Sequence, residues 1–263
     1  RIGEISSGEA CIKVIDKYIP AGAYKLTVDN VSRLSVGDNI EIRKPVTEKW
    51  IKFMKMDNLV RDGKAQTWIK AGKFLITERT IAAIDGNIIT LTVPLIDCYD
   101  SNYTDNNTTI VVANNVGRLK QCGVENIRIE SPAQAVNHSK ALYYALRING
   151  EDCWAKDINA METMESIGIG GRRITLQQVN VIRKALHQGA SKPAEFAPNG
   201  GQILLDRCSV EGDNIWFAAL GAGQTGPIVF LNCTFKGNGR IEGHQRWSTG
   251  ILLDNCSLPN GGI

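Results

Sequence analysis

Asp206-Arg207-Cys208-Ser209-Val210, Leu231-Asn232-Cys233-Thr234-Phe235 and Asp254-Asn255-Cys256-Ser257-Leu258 are one pattern written three times. With each Cys as position zero, apolar residues precede it at −5 and −3: Ile203 and Leu205, Ile228 and Phe230, Ile251 and Leu253. Two mostly polar residues turn a corner, and apolar residues return at 0 and +2. The template extends backwards through Ile174, Leu176, Gln177-Gln178, Val179 and Val181. It continues through Ile148, Gly150, Glu151-Asp152, Cys153 and Ala155, and then Cys122, Val124, Glu125-Asn126, Ile127 and Ile129. Zero positions fall at 127, 153, 179, 208, 233 and 256, in steps of 26, 26, 29, 25 and 23 residues.

Two short strands around a polar corner cannot bury an apolar face alone, but coils stacked on coils can. Alternation places −5, −3, 0 and +2 inside and the residues between them outside. The steps are too short for propeller blades of roughly 40 residues. The reading is therefore all-β: a parallel β-helix of about six coils over residues 111 to 263. Cys208, Cys233 and Cys256 then form one buried, unbridged column, continued by Val179 and Cys153, since stacked buried thiols behave as small hydrophobes. Asn232 and Asn255 stack at the corner.

Residues 1 to 110 lack this period and read as a small antiparallel β module with a short helix, inserted between coils of a longer chain. Asp85-Gly86 marks a hairpin, and Thr47 caps a helix carrying Trp50, Ile51 and Met54 on one side. No run approaches 18 apolar residues, which excludes a membrane-spanning helix. A net charge of +3 gives no reason to expect nucleic acid as a partner. The seven cysteines form no C-x-x-C pair and no Cys/His cluster. Asp157, Glu162 and Glu165 could bind a cation but make no recognised calcium loop, so no metal or other cofactor is expected; calcium is left open but not indicated. Asn102, Asn106, Asn107 and Asn137 are glycosylation candidates, whereas the sequons at Asn232 and Asn255 are discounted as corner residues.

Several stretches carry a resemblance. They are Ser35-Val36-Gly37-Asp38, the segment from Pro45 to Met56, Glu78 to Asn87, Cys153-Trp154-Ala155-Lys156-Asp157, Gly226-Pro227-Ile228-Val229-Phe230 and Gly243 to Gly250. In this order the chain resembles the pectate-lyase-like superfamily of secreted right-handed β-helix proteins with an embedded β module. The resemblance implies a right-handed solenoid, an extracellular location and a polysaccharide partner. Relatives often carry a His-Asp pair after the equivalent of Cys208. Here that stretch is Asp213-Asn214-Ile215-Trp216-Phe217, which puts activity in doubt.

Function on such a scaffold belongs to outward residues. Arg147 and Arg173 are expected in one outward column on adjacent coils, about 5 Å apart at the backbone, where they repel unless an anion lies over them. An acidic, uronate-bearing polysaccharide answers that repulsion. Substrate binding is accordingly assigned to Arg147, Asn149, Arg172, Trp247 and His187, with Trp247 stacking on a sugar. Catalysis, if present, falls to His244, Arg246 and Arg173: proton abstraction beside a carboxylate with cationic stabilisation, the chemistry of a lyase. The carboxylate signatures of β-helix hydrolases are absent. The alternative is a non-catalytic extracellular β-helix that binds glycan or builds a surface assembly, favoured by the missing His-Asp pair and the outward apolar residues Leu204, Val229 and Leu252. A phage or adhesin spike fits less well, because trimeric shafts show longer regular arrays. Bare solenoid ends expose strand edges, so the rest of a precursor or a neighbouring chain is expected to cap them.

Overall fold

The computed structural model describes residues 2–3, 11–113, 118–135, 143–187, 192–243 and 246–263. Two compact units divide the chain: residues 1–116 with 245–249, and residues 117–244 with 250–263.

In the first unit the strands are antiparallel. Asn39–Pro45 lies against Phe74–Asp85, in register from Asn39 opposite Thr80 to Pro45 opposite Phe74, within a seven-stranded sheet. Alternation sends Ile40 and Ile42 into a core with Leu26, Val28, Ile81, Ile89 and Ile110. Glu41 and Arg43 fall on the other face and pair at 2.8 Å. Asp85 is opposite Ile88, and Gly86 takes the positive φ that a two-residue hairpin loop demands. Thr47 caps helix α1 (Glu48–Phe53) by accepting the Trp50 N–H at 3.1 Å. Trp50 and Ile51 are buried, but Met54, at the helix end, is exposed; Met56 takes the buried place instead.

The second unit is a β-solenoid, with parallel strands throughout. Position zero carries Cys208, Cys233 and Cys256, because Ser209 pairs with Thr234 and Thr234 with Ser257. Val179 continues this column, then Ile158 and Ile127. Cys153 does not: it belongs to the −5 column, next to Ile174, since Trp154 pairs with Thr175. The true steps are 31, 21, 29, 25 and 23 residues. Six rows share the column, but the first and last each pair on one side only, and complete turns number about four rather than six.

The reason lies in the corners. Asn126, Asp157, Gln178, Arg207, Asn232 and Asn255, each just before position zero, all have φ between 50° and 57°. This left-handed conformation is the sharp bend that turns one strand into the next, and after glycine it is Asn and Asp that tolerate it best. A second set stands five residues earlier, with Gln121, Asp152, Arg173 and Gln202 at φ of 51° to 59°. Asp152 and Asp157 are thus corners of the same row. A reading anchored on cysteine identity takes one for the other.

Inside, Ile174, Leu176, Val179, Val181, Ile203, Leu205, Val210, Ile228, Phe230 and Phe235 are buried as the alternation requires. Cys208 and Cys233 are buried, Cys256 is half-buried, and all three are free thiols. Each points its sulfur at a carbonyl of the preceding row: Cys208 at Leu176, Cys233 at Leu205 and Cys256 at Phe230. Contact with the Cys233 thiol and burial push Cys208 up from the usual thiol range. At the corner, Asn255 Nδ2 donates to Asn232 Oδ1 at 2.7 Å, the stacked pair that the sequence implies.

Candidate functional site

The expected outward arginine column takes another form. Arg172 pairs in register with Glu151, which sets Arg173 beside Asp152, while Arg147 stands opposite Gly168. Arg147 and Arg173 therefore do not share a column. The 26-residue offset between them spans more than one row, because this row is shorter than a uniform repeat implies. Arg173 donates to Asp152 Oδ1 at 2.5 Å and Oδ2 at 2.9 Å, and also to Glu151. Arg172, 1% exposed, donates to Glu151 Oε2 at 2.7 Å. Burial alone raises the Glu151 carboxyl, but hydrogen bonds and charge from Arg172 and Arg173 outweigh it and hold it below the ordinary range. The Arg173 hydrogen bond likewise lowers Asp152, and its own pKa rises in return. The charge repulsion that called for an external anion is answered within the protein.

Arg147 is exposed, with its guanidinium 3.7 Å from the Tyr144 ring centroid and 3.8 Å from Glu165. Asn149, also exposed, extends over Gly170 of the next row. His187 is 3% exposed rather than a surface loop residue; its carbonyl accepts Asn214 Nδ2 at 3.0 Å. His244 and Asn137 lie outside the described residues. Asn102, Asn106 and Asn107 are exposed. Glu162 holds the backbone N–H groups of Lys184 and Ala185, a structural use for that carboxylate.

Trp247 and Arg246 belong to the first unit. Arg246 is exposed, and both residues have positive φ. Trp247 packs edge-on against Trp50 with ring centroids 4.8 Å apart, and its Nε1 donates to Asp97 Oδ2 at 2.9 Å. With Tyr18, Lys44, Phe53, Asp100, Tyr103 and others, these rings line a cleft of about 270 Å³. That is near the lower end of ligand pockets, roughly 300–1,000 Å³, so it suits a short stretch of a ligand.

The cleft is built from four separate stretches of chain: Tyr18, residues 44–54, residues 97–104 and Trp247. Lys44 continues the face of Ile40 and Ile42 and is 3% exposed. Its ammonium donates to Asp97 Oδ2 at 3.1 Å and to the Cys98 carbonyl at 2.8 Å, and lies 4.7 Å from the Trp50 ring. Asp97 also accepts the Cys98 N–H at 2.9 Å, so both of its oxygens are engaged. Helix α1 presents Phe53, which stacks on Tyr103 of helix α2 (Ser101–Thr104) at 4.3 Å and 30°. Thr47 ties the two segments by donating to the Tyr103 carbonyl. Phe53 remains 59% exposed and Tyr18 58%, so wide aromatic faces meet water. Asp100 caps α2 by accepting the Asn102 N–H at 2.9 Å.

Of the residues assigned to binding from sequence, only Trp247 lines this cleft. The one available signal for the rest was the Pro45 to Met56 segment, with its aromatic pair Trp50 and Phe53. Among the described residues no helix is long and apolar enough to cross a membrane.

No family model matches the sequence, and no curated protein matches it. Solved structures align with low identity, among them three tailspikes. The Gp54 tailspike of Acinetobacter baumannii bacteriophage AP22, solved in complex with A. baumannii capsular saccharide, is 12% identical with a TM-score of 0.39, covering 99% of this chain and 54% of that one. The tailspike gp61 of Pseudomonas phage phi297 is 11% identical at 0.40, covering 96% and 53%. The tailspike protein gp49 of Pseudomonas phage LKA1 is 13% identical at 0.37, covering 95% and 46%. The chain thus spans about half the length of the structures with which it aligns.

Proposed function

We propose that the protein binds glycan, with the aromatic cleft of the first unit as the binding site. The observation that carries this is the exposure of the Phe53 and Tyr18 rings, with half-buried Tyr103 and Trp247 beside them, over a buried polar floor of Lys44 and Asp97. A large apolar side chain left in water is a cost unless a ligand covers it. Sugar rings have an apolar C–H face that covers an aromatic ring and a hydroxyl edge that pairs with carboxylates. The floor is already internally bonded and therefore rigid, which lowers the ordering cost of binding.

Membership of the pectate-lyase-like superfamily, and with it an extracellular location, is part of this proposal and rests on the motifs quoted above. Elimination chemistry by Arg173, Arg246 and His244 is a separate proposal. The ion pairs of Arg173 weigh against its share in it, because a cation already matched by two carboxylates has little to offer a developing negative charge.

Intrinsic tryptophan fluorescence tests the reading, since Trp50 and Trp247 both line the cleft. A panel of neutral and acidic oligosaccharides should yield at least one saturable change, and Phe53→Ala should weaken that binding about tenfold, on the order of 1.4 kcal/mol of lost contact. Silence from every sugar in the panel, or an unchanged affinity in Phe53→Ala, overturns the proposal.

A further inference from the structure

We infer that the cleft selects uncharged sugar units and disfavours uronates, and that Asp100 sets this preference. The inference rests on the glycan reading above and deepens it. Three charged side chains line the cleft: Lys44, Asp97 and Asp100. Lys44 is consumed by Asp97 at 3.1 Å, so the two cancel. Among the described residues Asp100 has no cationic partner; its one hydrogen bond is to the Asn102 backbone N–H, through Oδ1. The lining therefore carries one uncompensated negative charge, half-buried beside the aromatic faces.

The other cations near these segments do not change this balance. Lys49 pairs with Asp105 at 2.9 Å; Lys17, whose carbonyl accepts the Ser101 N–H at 2.9 Å, and Lys52, Lys55 and Arg246 are exposed and do not line the cleft. A uronate carboxylate brought in beside the rings meets Asp100 without an arginine or lysine to receive it. A sugar hydroxyl in the same place donates a hydrogen bond to the carboxylate. Hydrogen bonds to an ionised acceptor are the stronger kind. The same group thus attracts one ligand class and repels the other.

Asp100→Asn is the discriminating variant. Asn caps helices about as well as Asp and keeps an acceptor for the Asn102 N–H, so the local fold is retained. Thermal unfolding of the variant should coincide with that of the wild type. Affinities for a neutral hexose oligomer and a uronic-acid oligomer of equal length are then measured by tryptophan fluorescence at low and at high salt. The wild type should prefer the neutral oligomer. In Asp100→Asn, binding of the uronate should strengthen about five- to tenfold at low salt and by less at high salt, while the neutral oligomer loses a few-fold. A wild type that binds the uronate as tightly as the neutral oligomer, or a preference unmoved by Asp100→Asn, overturns the inference and leaves the glycan reading standing. If neither oligomer nor any other sugar binds, the glycan reading itself fails.

Discussion

The two units use polar and aromatic side chains in opposite ways. In the solenoid the strand and corner residues of the inner rows have near-equivalents above and below, so a charged or amide group there can meet a partner from the next row. Arg173 finds Asp152, Asn255 finds Asn232, and Ser209 donates to Asn180 at 2.7 Å. Repetition consumes the chemistry. The first unit has no such period, and its segments meet once each. Lys44 and Asp97 satisfy one another there, yet Phe53, Tyr18 and Asp100 are left facing outward. A repetitive scaffold tends to neutralise its own surface, whereas an irregular one can leave groups unmatched, and unmatched groups bind things.

The sharpest way to break this contrast compares two phenylalanines. Phe230 is fully buried in the solenoid, 6.2 Å from Phe235 between ring centroids. Phe230→Ala should lower unfolding free energy by about 3–5 kcal/mol in urea titration. Phe53→Ala, in the cleft, should cost less than about 1 kcal/mol, because most of that ring is already in water. Equal losses would mean that Phe53 serves the fold and that the cleft is a packing feature.

A second expectation concerns Glu195, which is 0% exposed and accepts hydrogen bonds from the backbone N–H and hydroxyl of Ser166. Burial is the main cause that pushes its carboxyl up to about 7 from an ordinary 4.5, against the opposing pull of Ser166 and Arg183. The folded state then holds the proton more tightly than the unfolded chain. The stabilisation is complete below pH 4.5 and is lost as pH rises to and through about 7. Its size is about 3 kcal/mol. Glu195→Gln keeps a neutral side chain at all pH values. Relative to wild type it should gain stability between pH 5 and pH 8, measured by urea unfolding at both. A difference that does not change with pH would show that Glu195 is ionised throughout.

The smallest effect concerns a corner. Arg207 has φ 53° and its exposed guanidinium pairs with its neighbour Asp206 at 2.8 Å. Arg207→Gly removes the left-handed penalty and should raise stability by roughly 0.5–1 kcal/mol, read from the urea midpoint. A loss of stability would show that the corner depends on the side chain rather than the backbone.

Legibility divides along the same line as the chemistry. Cys208, Cys233 and Cys256 could be stacked from sequence because alternation and corner recur around each of them. Cys153 was misplaced because Asp152 and Asp157 are both corners, five residues apart, and each has apolar neighbours on either side. The supposed Arg147–Arg173 column inherited that slip. The cleft was nearly invisible, since Tyr18, Lys44, Phe53, Asp100 and Trp247 have no shared spacing and only the fold brings them together. Trp247 alone was singled out, and its ring turns out to be half-buried, with its indole N–H already committed to Asp97.

The left-handed corners also work mechanically, as detents on a sliding ladder. Parallel strands of similar residues can in principle re-pair one residue out of step, as teeth can skip on a gear. Here a row shifted by one would force Cys208 or Asp206 into the bend that Arg207 occupies, and would do so again at every corner of that row. Each misplaced side chain costs on the order of 1–2 kcal/mol, and the shift also turns the buried face outward. A row torn loose by force can therefore reseat in one position only, and the solenoid should recover its original length after stretching instead of creeping to a new one.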